Sequence, residues 1–181
     1  MIGSKLETSV SQKYGQIFGG IMLFRILLLY QFWYSRAMHL NIFTDGGARG
    51  NPGPAGIGVV VKKEGNTLLH SFGKTIGVAT NNTAEYTAVI EALIWIKNNS
   101  PLPSLRLREG ADMVYNFHLD STLVVNQLNG LYKVKEAHLR DLLLKVRELE
   151  SVVGGNVSYA YIPREKNWEA DRLVNEALDN V

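Results

Sequence analysis

Cysteine is missing from the 181 residues and histidine occurs only four times. The first absence excludes a disulfide scaffold, a Cys-ligated zinc site and a thiol nucleophile. An excess of charge of one sign is missing too, since 19 basic residues face 17 acidic ones and leave a net charge of +2. Residues 1–37 hold four of the basic residues (Lys5, Lys13, Arg25, Arg36) against Glu7, so the other 144 residues carry 15 basic and 16 acidic groups. A nucleic-acid partner therefore cannot be argued from global charge and has to rest on a site. There is no internal repeat or low-complexity tract, and 46% hydrophobic with 20% charged residues excludes a wholly disordered chain. The length suits one globular domain with a segment to spare.

That segment is the first 37 residues. Ile17 to Tyr34 reads IFGGIMLFRILLLYQFWY, which as a helix spans roughly 27 Å, at the lower limit for crossing a bilayer. Arg25 interrupts it, and no small-x-small site follows, so a secretory signal is a poor reading. An anchor, an extra helix, or translated upstream sequence before a start at Met38 are the readings that stay open. Membrane contact is expected only if this segment is inserted; otherwise the expected location is cytoplasmic. The expected division is 1–37 as an apolar extension and 38–181 as the working domain.

From Met38 the pattern alternates like strands: HLNIFTD, then AGIGVVVKK and TLLHSFGKTIG, joined by short Gly-rich and polar turns. Asp45 is expected to end the first strand on the face of Asn41 and Phe43. Helical spacing follows over 82–98, with Val89, Ala92, Leu93 and Ile96 on one stripe. MVYNFHL reads as a fourth strand, STLVVNQL and EAHLRDLLLKVRELE as two helices, NVSYAYI as a fifth strand, and 168–179 as a last helix. The order βββαβααβα predicts an α/β fold: a five-stranded mixed sheet with helices on both faces. Gly56-Ile-Gly58 is no dinucleotide fingerprint, because a Val-rich strand follows it instead of a helix. Trp95 and Trp168 are expected to pack rather than to stack on bases.

Four acids sit awkwardly in this scheme. Asp45 lies on a buried strand, Glu85 on the apolar stripe of its helix (with Val89 and Ala92), Asp171 on that of the last helix (with Val174 and Leu178), and Asp120 closes the fourth strand. Strands one and four as neighbours would bring Asp45 and Asp120 together. Each acid has a bland alternative: Asn82 and Glu85 as a capping box, Asp120 as an N-cap, Asp45 in a turn. All four on one edge would be intolerable as anions without compensation, and no Lys or Arg pairs with the whole set. A divalent cation resolves the conflict, and all-oxygen ligation points to Mg²⁺ or Mn²⁺.

FTDGGARGNPGPAGIGVV, TNNTAEYTAVIEAL, LDSTLVVNQLNGLYKVK and PREKNWEADRLVNEAL together resemble type 1 ribonuclease H, over essentially all of residues 39–180. The resemblance is greatest to its compact bacterial and archaeal members, which lack a basic handle. It implies a ribonuclease H-like fold and metal-dependent endonucleolytic cleavage of the RNA strand of an RNA–DNA hybrid, with 5′-phosphate and 3′-hydroxyl ends. Two ions per site are implied, Asp45 bridging them, Glu85 and Asp120 holding one and Asp171 the other; no small-molecule organic cofactor is expected.

For the substrate, the resemblance implies contacts from Gly46, Gly47, Ala48, Arg49, Asn81 and Asn82. Thr122 stands where family members often carry a longer polar side chain, and Lys133 and Lys135 are the nearby cations for phosphate. Arg140 reads as a solvated cation. Many relatives place a His in the loop before the last acid; here that loop is Pro163-Arg164-Glu165-Lys166-Asn167. Arg164 can replace that His electrostatically but not as a general base. None of His39, His70, His118 and His138 is expected in catalysis. A related nuclease acting on structured or double-stranded RNA, and a non-catalytic nucleic-acid binding module, are the alternatives, since a fold does not fix a substrate.

Overall fold

The computed structural model describes residues 38–99 and 113–180; the expectations for residues 1–37 lie outside the described residues. Strands β1 (Met38–Ala48), β2 (Gly53–Lys63) and β3 (Thr67–Ala79) form an antiparallel meander, followed by helix α1 (Asn81–Asn99). Then come β4 (Met113–Leu119), α2 (Thr122–Leu128), α3 (Ala137–Val153), β5 (Asn156–Tyr161), a turn of 3₁₀ helix (Arg164–Lys166) and α4 (Trp168–Asp179). The sheet order is β3-β2-β1-β4-β5, and β4 is parallel to both β1 and β5. This is the predicted α/β architecture, a five-stranded mixed sheet.

The two-residue period of the strands divides the core. Leu40 and Ile42 of β1, with Val59 and Val61 of β2, meet Tyr86, Val89, Leu93 and Ile96 of α1, all buried. Behind α1 lies α3, contributing Leu139, Val146 and Leu149 from one stripe. The opposite face of β2 presents Gly56 and Gly58 to α4, where a methyl group on Gly58 would stand 2.1 Å from the carbonyl oxygen of Ala170. Only glycine lets the helix sit that close. Val174 and Leu178 then seal this second layer. Both faces of the sheet therefore carry helix, as the pattern required.

Two details differ from expectation. Pairing of β1 with β2 continues past Asp45 to Ala48↔Ala55, so Asp45 lies within the strand, and the turn is confined to the residues between Ala48 and Gly53. Trp168 opens α4 with 58% of its surface exposed instead of packing. Trp95 does pack: it is partly buried against the core, its ring stacked on His70 at 4.9 Å. No helix among the described residues is long and apolar enough to cross a membrane.

Candidate active site

Asp45, Glu85 and Asp120 arrive from three elements at one rim of the sheet. The parallel pairing of β1 with β4 sets Phe43 beside His118, and each chain runs two residues further to its acid. Glu85 comes from the first turns of α1, which reaches the strand because position 46 has no side chain: a Cβ there would lie 2.2 Å from the carbonyl carbon of Ala84 and 2.3 Å from the nitrogen of Glu85. Ligand oxygens of the three acids lie within 4.8 Å of one another. Asp171, from α4, lines the same cavity of about 410 Å³.

The turn alternative for Asp45 fails because it lies within β1, and the two capping alternatives fail because neighbouring hydroxyls already do the capping. Thr80 Oγ1 accepts from the N–H of Thr83 at 3.2 Å, and the Thr80 carbonyl accepts from Ala84, so neither Asn82 nor Glu85 caps α1. Ser121 Oγ accepts from Val124 N–H and caps α2, which releases Asp120. Asp45 accepts from the N–H of Gly46 at 2.9 Å. Glu85 Oε2 is buried with no hydrogen-bond partner.

Burial, reinforced by the charges of Asp120 and Asp171, pushes Asp45 up from 3.8 to about 7; Arg164 and the Gly46 N–H pull the other way. Glu85 rises well above its ordinary range, first through burial and then through Asp45 and Asp120. Acids that resist ionisation in one cavity, one of them with an orphaned oxygen, are a fit for a divalent cation with a preference for oxygen. The donor set can hold such an ion.

Asp171 has partners of its own. Arg164 donates to its Oδ1, and Asn175 Nδ2 donates to its Oδ2 at 3.1 Å and to its carbonyl at 2.9 Å. Arg164 is thus in the cavity, clamped to one acid and lowering the pKa of two others.

The expected substrate contacts divide into groups. Gly46, Gly47, Ala48, Arg49, Asn81 and Asn82 all line the acid cavity. Several have structural work to do there. Gly46 admits α1, Ala48 N–H donates to Asn81 Oδ1 at 2.9 Å, and Asn81 N–H donates to Asn51 Oδ1 at 3.1 Å. Arg49 ties its turn to the end of α4, donating to the carboxylate of Asp179 and to the Leu178 carbonyl at 3.2 Å. Thr122 is exposed at the start of α2 and lies outside the cavity wall, to which Ser121 contributes instead. Lys133 and Lys135 flank a different groove, beside exposed Leu131 and Tyr132. Arg140 is exposed, as expected of a solvated cation, and donates to the carbonyls of Val134 and Lys135. Asn51, Ser121, Asn167 and Asn175 were not singled out by sequence; Asn51 and Asn167 have partners far along the chain, which leave no local pattern, whereas Ser121 and Asn175 bond within their own helices, at spacings of three and four residues.

The fold and the acid-lined cavity define a ribonuclease H-like domain whose centre is built from carboxylates. The reverse transcriptase-like family matches residues 43–177. "Bifunctional protein Rv2228c" of Mycobacterium tuberculosis is 40% identical over 143 residues, covering 78% of this chain but 36% of that protein. The chain thus spans about a third of the length of the first curated relatives it matches. "Ribonuclease H" of Albidiferax ferrireducens is 47% identical over 155 residues, which cover 77% of this chain and 94% of that protein. Among solved structures, LC11-RNase H1 in complex with RNA/DNA hybrid superposes with a TM-score of 0.66 at 44% identity, over 78% of this chain and 97% of that one. This chain belongs to the type 1 ribonuclease H family.

Proposed function

We propose that the protein is an endonuclease that hydrolyses the RNA strand of RNA–DNA hybrids and leaves 5′-phosphate and 3′-hydroxyl ends. The observation that carries this reading is the convergence of Asp45, Glu85 and Asp120 within 4.8 Å, together with the unpartnered oxygen of Glu85. Its relatives' names and the hybrid bound to LC11-RNase H1 support the substrate.

Asp45, Glu85 and Asp120 would hold one Mg²⁺ or Mn²⁺, and Asp171 with Asp45 a second. When bound, such ions supply Lewis acidity at the phosphodiester and lower the pKa of the attacking water. The protein contributes the anionic cradle, and Arg164 a fixed positive charge that partly offsets the rise of the carboxyl pKa values there. Asn82, Gly47 and the free Nδ2 of Asn81 offer polar and backbone approach to the minor groove, where a 2′-hydroxyl marks the RNA strand. Lys133 and Lys135 offer phosphate contacts away from the reacting bond. The reading carries a cytoplasmic location, because hybrids form where nucleic acid is copied and transcribed.

The test is cleavage of end-labelled hybrid, double-stranded RNA and double-stranded DNA with Mg²⁺ or Mn²⁺, by wild type and Asp45→Asn. Hybrid cut by wild type alone supports the proposal. Equal cutting of double-stranded DNA, or undiminished turnover by Asp45→Asn, overturns it.

A further inference from the structure

Asn167 joins the 3₁₀ turn to α4 and does not line the acid cavity, yet it touches three of the segments that build it. Its side chain is all but inaccessible, at 1% exposure. The two protons of Nδ2 are both used. One goes to the carbonyl oxygen of Thr44, the residue before Asp45, at 3.0 Å; the other goes to Asp120 Oδ1 at 3.1 Å. The main-chain carbonyl of Asn167 accepts from the N–H of Asp171 at 3.1 Å. One residue thus connects the strand of Asp45, the carboxylate of Asp120 and the backbone of Asp171.

The orientation of this amide follows from its partners. A carbonyl and a carboxylate are acceptors only, so a reversed amide would set oxygen against two oxygens. The cost of this arrangement is visible as well: Asn167 Oδ1 is buried with no partner. An apolar side chain of the same size would avoid that cost. It could not donate, however, and Asp120 would then be free to turn about its last bond.

We infer that Asn167 is a positioning residue for the reaction, fixing the rotation of Asp120 and the seating of α4 against β1 so that the carboxylates meet a divalent cation together. The inference rests on the function proposed above. Loss of mere packing and loss of positioning have different consequences. Lost packing lowers thermal stability and leaves the metal affinity of folded molecules unchanged. Lost positioning weakens metal affinity and kcat and leaves the KM for hybrid alone, since Asn167 is shielded from the cavity.

The full chain, wild type and Asn167→Ala, is titrated with Mn²⁺ alone by calorimetry at a temperature where circular dichroism shows both folded, and kcat and KM are measured on labelled hybrid. Mn²⁺ affinity and kcat are each expected to fall about tenfold or more, with KM within about twofold, the signature expected of a positioning role. Unchanged Mn²⁺ affinity and kcat in folded Asn167→Ala overturn the inference. If that variant does not fold, wild-type NMR decides: Mg²⁺ should shift the side-chain amide resonances of Asn167, and a Mg²⁺ titration that moves the Asp45 and Glu85 amides but not these overturns it. Failure of wild type to bind Mn²⁺ or cut hybrid sinks the functional reading instead.

Discussion

Gly46 and Glu85 are packed backbone to backbone: a methyl group added to the glycine would stand 2.3 Å from the glutamate's nitrogen. The glycine therefore sets the distance between strand and helix, and through it the distance between Asp45 and Glu85. Gly46→Ala must push α1 outward. About 3 kcal/mol of stability should be lost, measured by urea unfolding, and hybrid cleavage should fall with it even where the variant remains folded. A variant with wild-type stability would show that the contact yields easily.

Capping and the proposed metal holding are separable at the start of α1. Thr80→Ala should cost about 1 kcal/mol, because the hydroxyl that accepts from Thr83 is lost. Glu85→Gln should cost the metal-free protein nothing and should make it more stable, since a buried carboxylate beside two others becomes neutral. Thermal melts in a chelator check both signs. A Glu85→Gln variant that melts well below wild type would reassign the residue to a structural role.

The metal-free protein should lose stability as pH rises. Below about pH 4 Asp45 is protonated in both folded and unfolded chains; between there and its folded value of about 7 the folded chain keeps a proton that the unfolded chain has released. Stability therefore falls across this window, on the order of 4 kcal/mol for this group, and Glu85 acts in the same direction. Urea unfolding with chelator at pH 5 and pH 8 measures the slope, and Asp45→Asn should remove most of it. Mg²⁺ should restore stability at pH 8 by binding only the folded form.

Arg164 acts on the cavity more than on the fold. Its side chain is 74% exposed, so its ion pair with Asp171 adds less than about 1 kcal/mol. Arg164→Ala should leave the melting point nearly unchanged while the Asp45 titration, followed by carboxyl ¹³C NMR, moves upward, because a charge that favours ionisation has gone. An unmoved titration would remove Arg164 from the electrostatics of the centre.

The acids were legible in sequence because polar residues on apolar stripes break a pattern; Glu85 beside Val89 and Ala92, and Asp171 beside Val174 and Leu178, each do so. The element order was legible for the same reason, periodicity being a local property. What escaped was set at long range. Asn167 bonds a carbonyl 123 residues away, and backbone partners leave no mark in side-chain patterns. Gly46 reads in sequence as close approach of substrate, and the structure shows the backbone of α1 against it. The choice of capping residue, Thr80 over Asn82 and Ser121 over Asp120, was open in sequence because neighbouring residues of capping type stand side by side at each helix start. Trp168 differed because its stripe neighbours say nothing about which end of a helix the sheet covers.

Asp45, Glu85, Asp120 and Asp171 are delivered by a strand, a helix, the turn after a second strand and a final helix, so no fragment of the domain holds them all. On the proposed reading, a half-assembled chain is harmless to nucleic acid. Recovery of cutting during renaturation would then lag behind the return of helical signal, timing the docking of α4 onto the glycine-lined sheet.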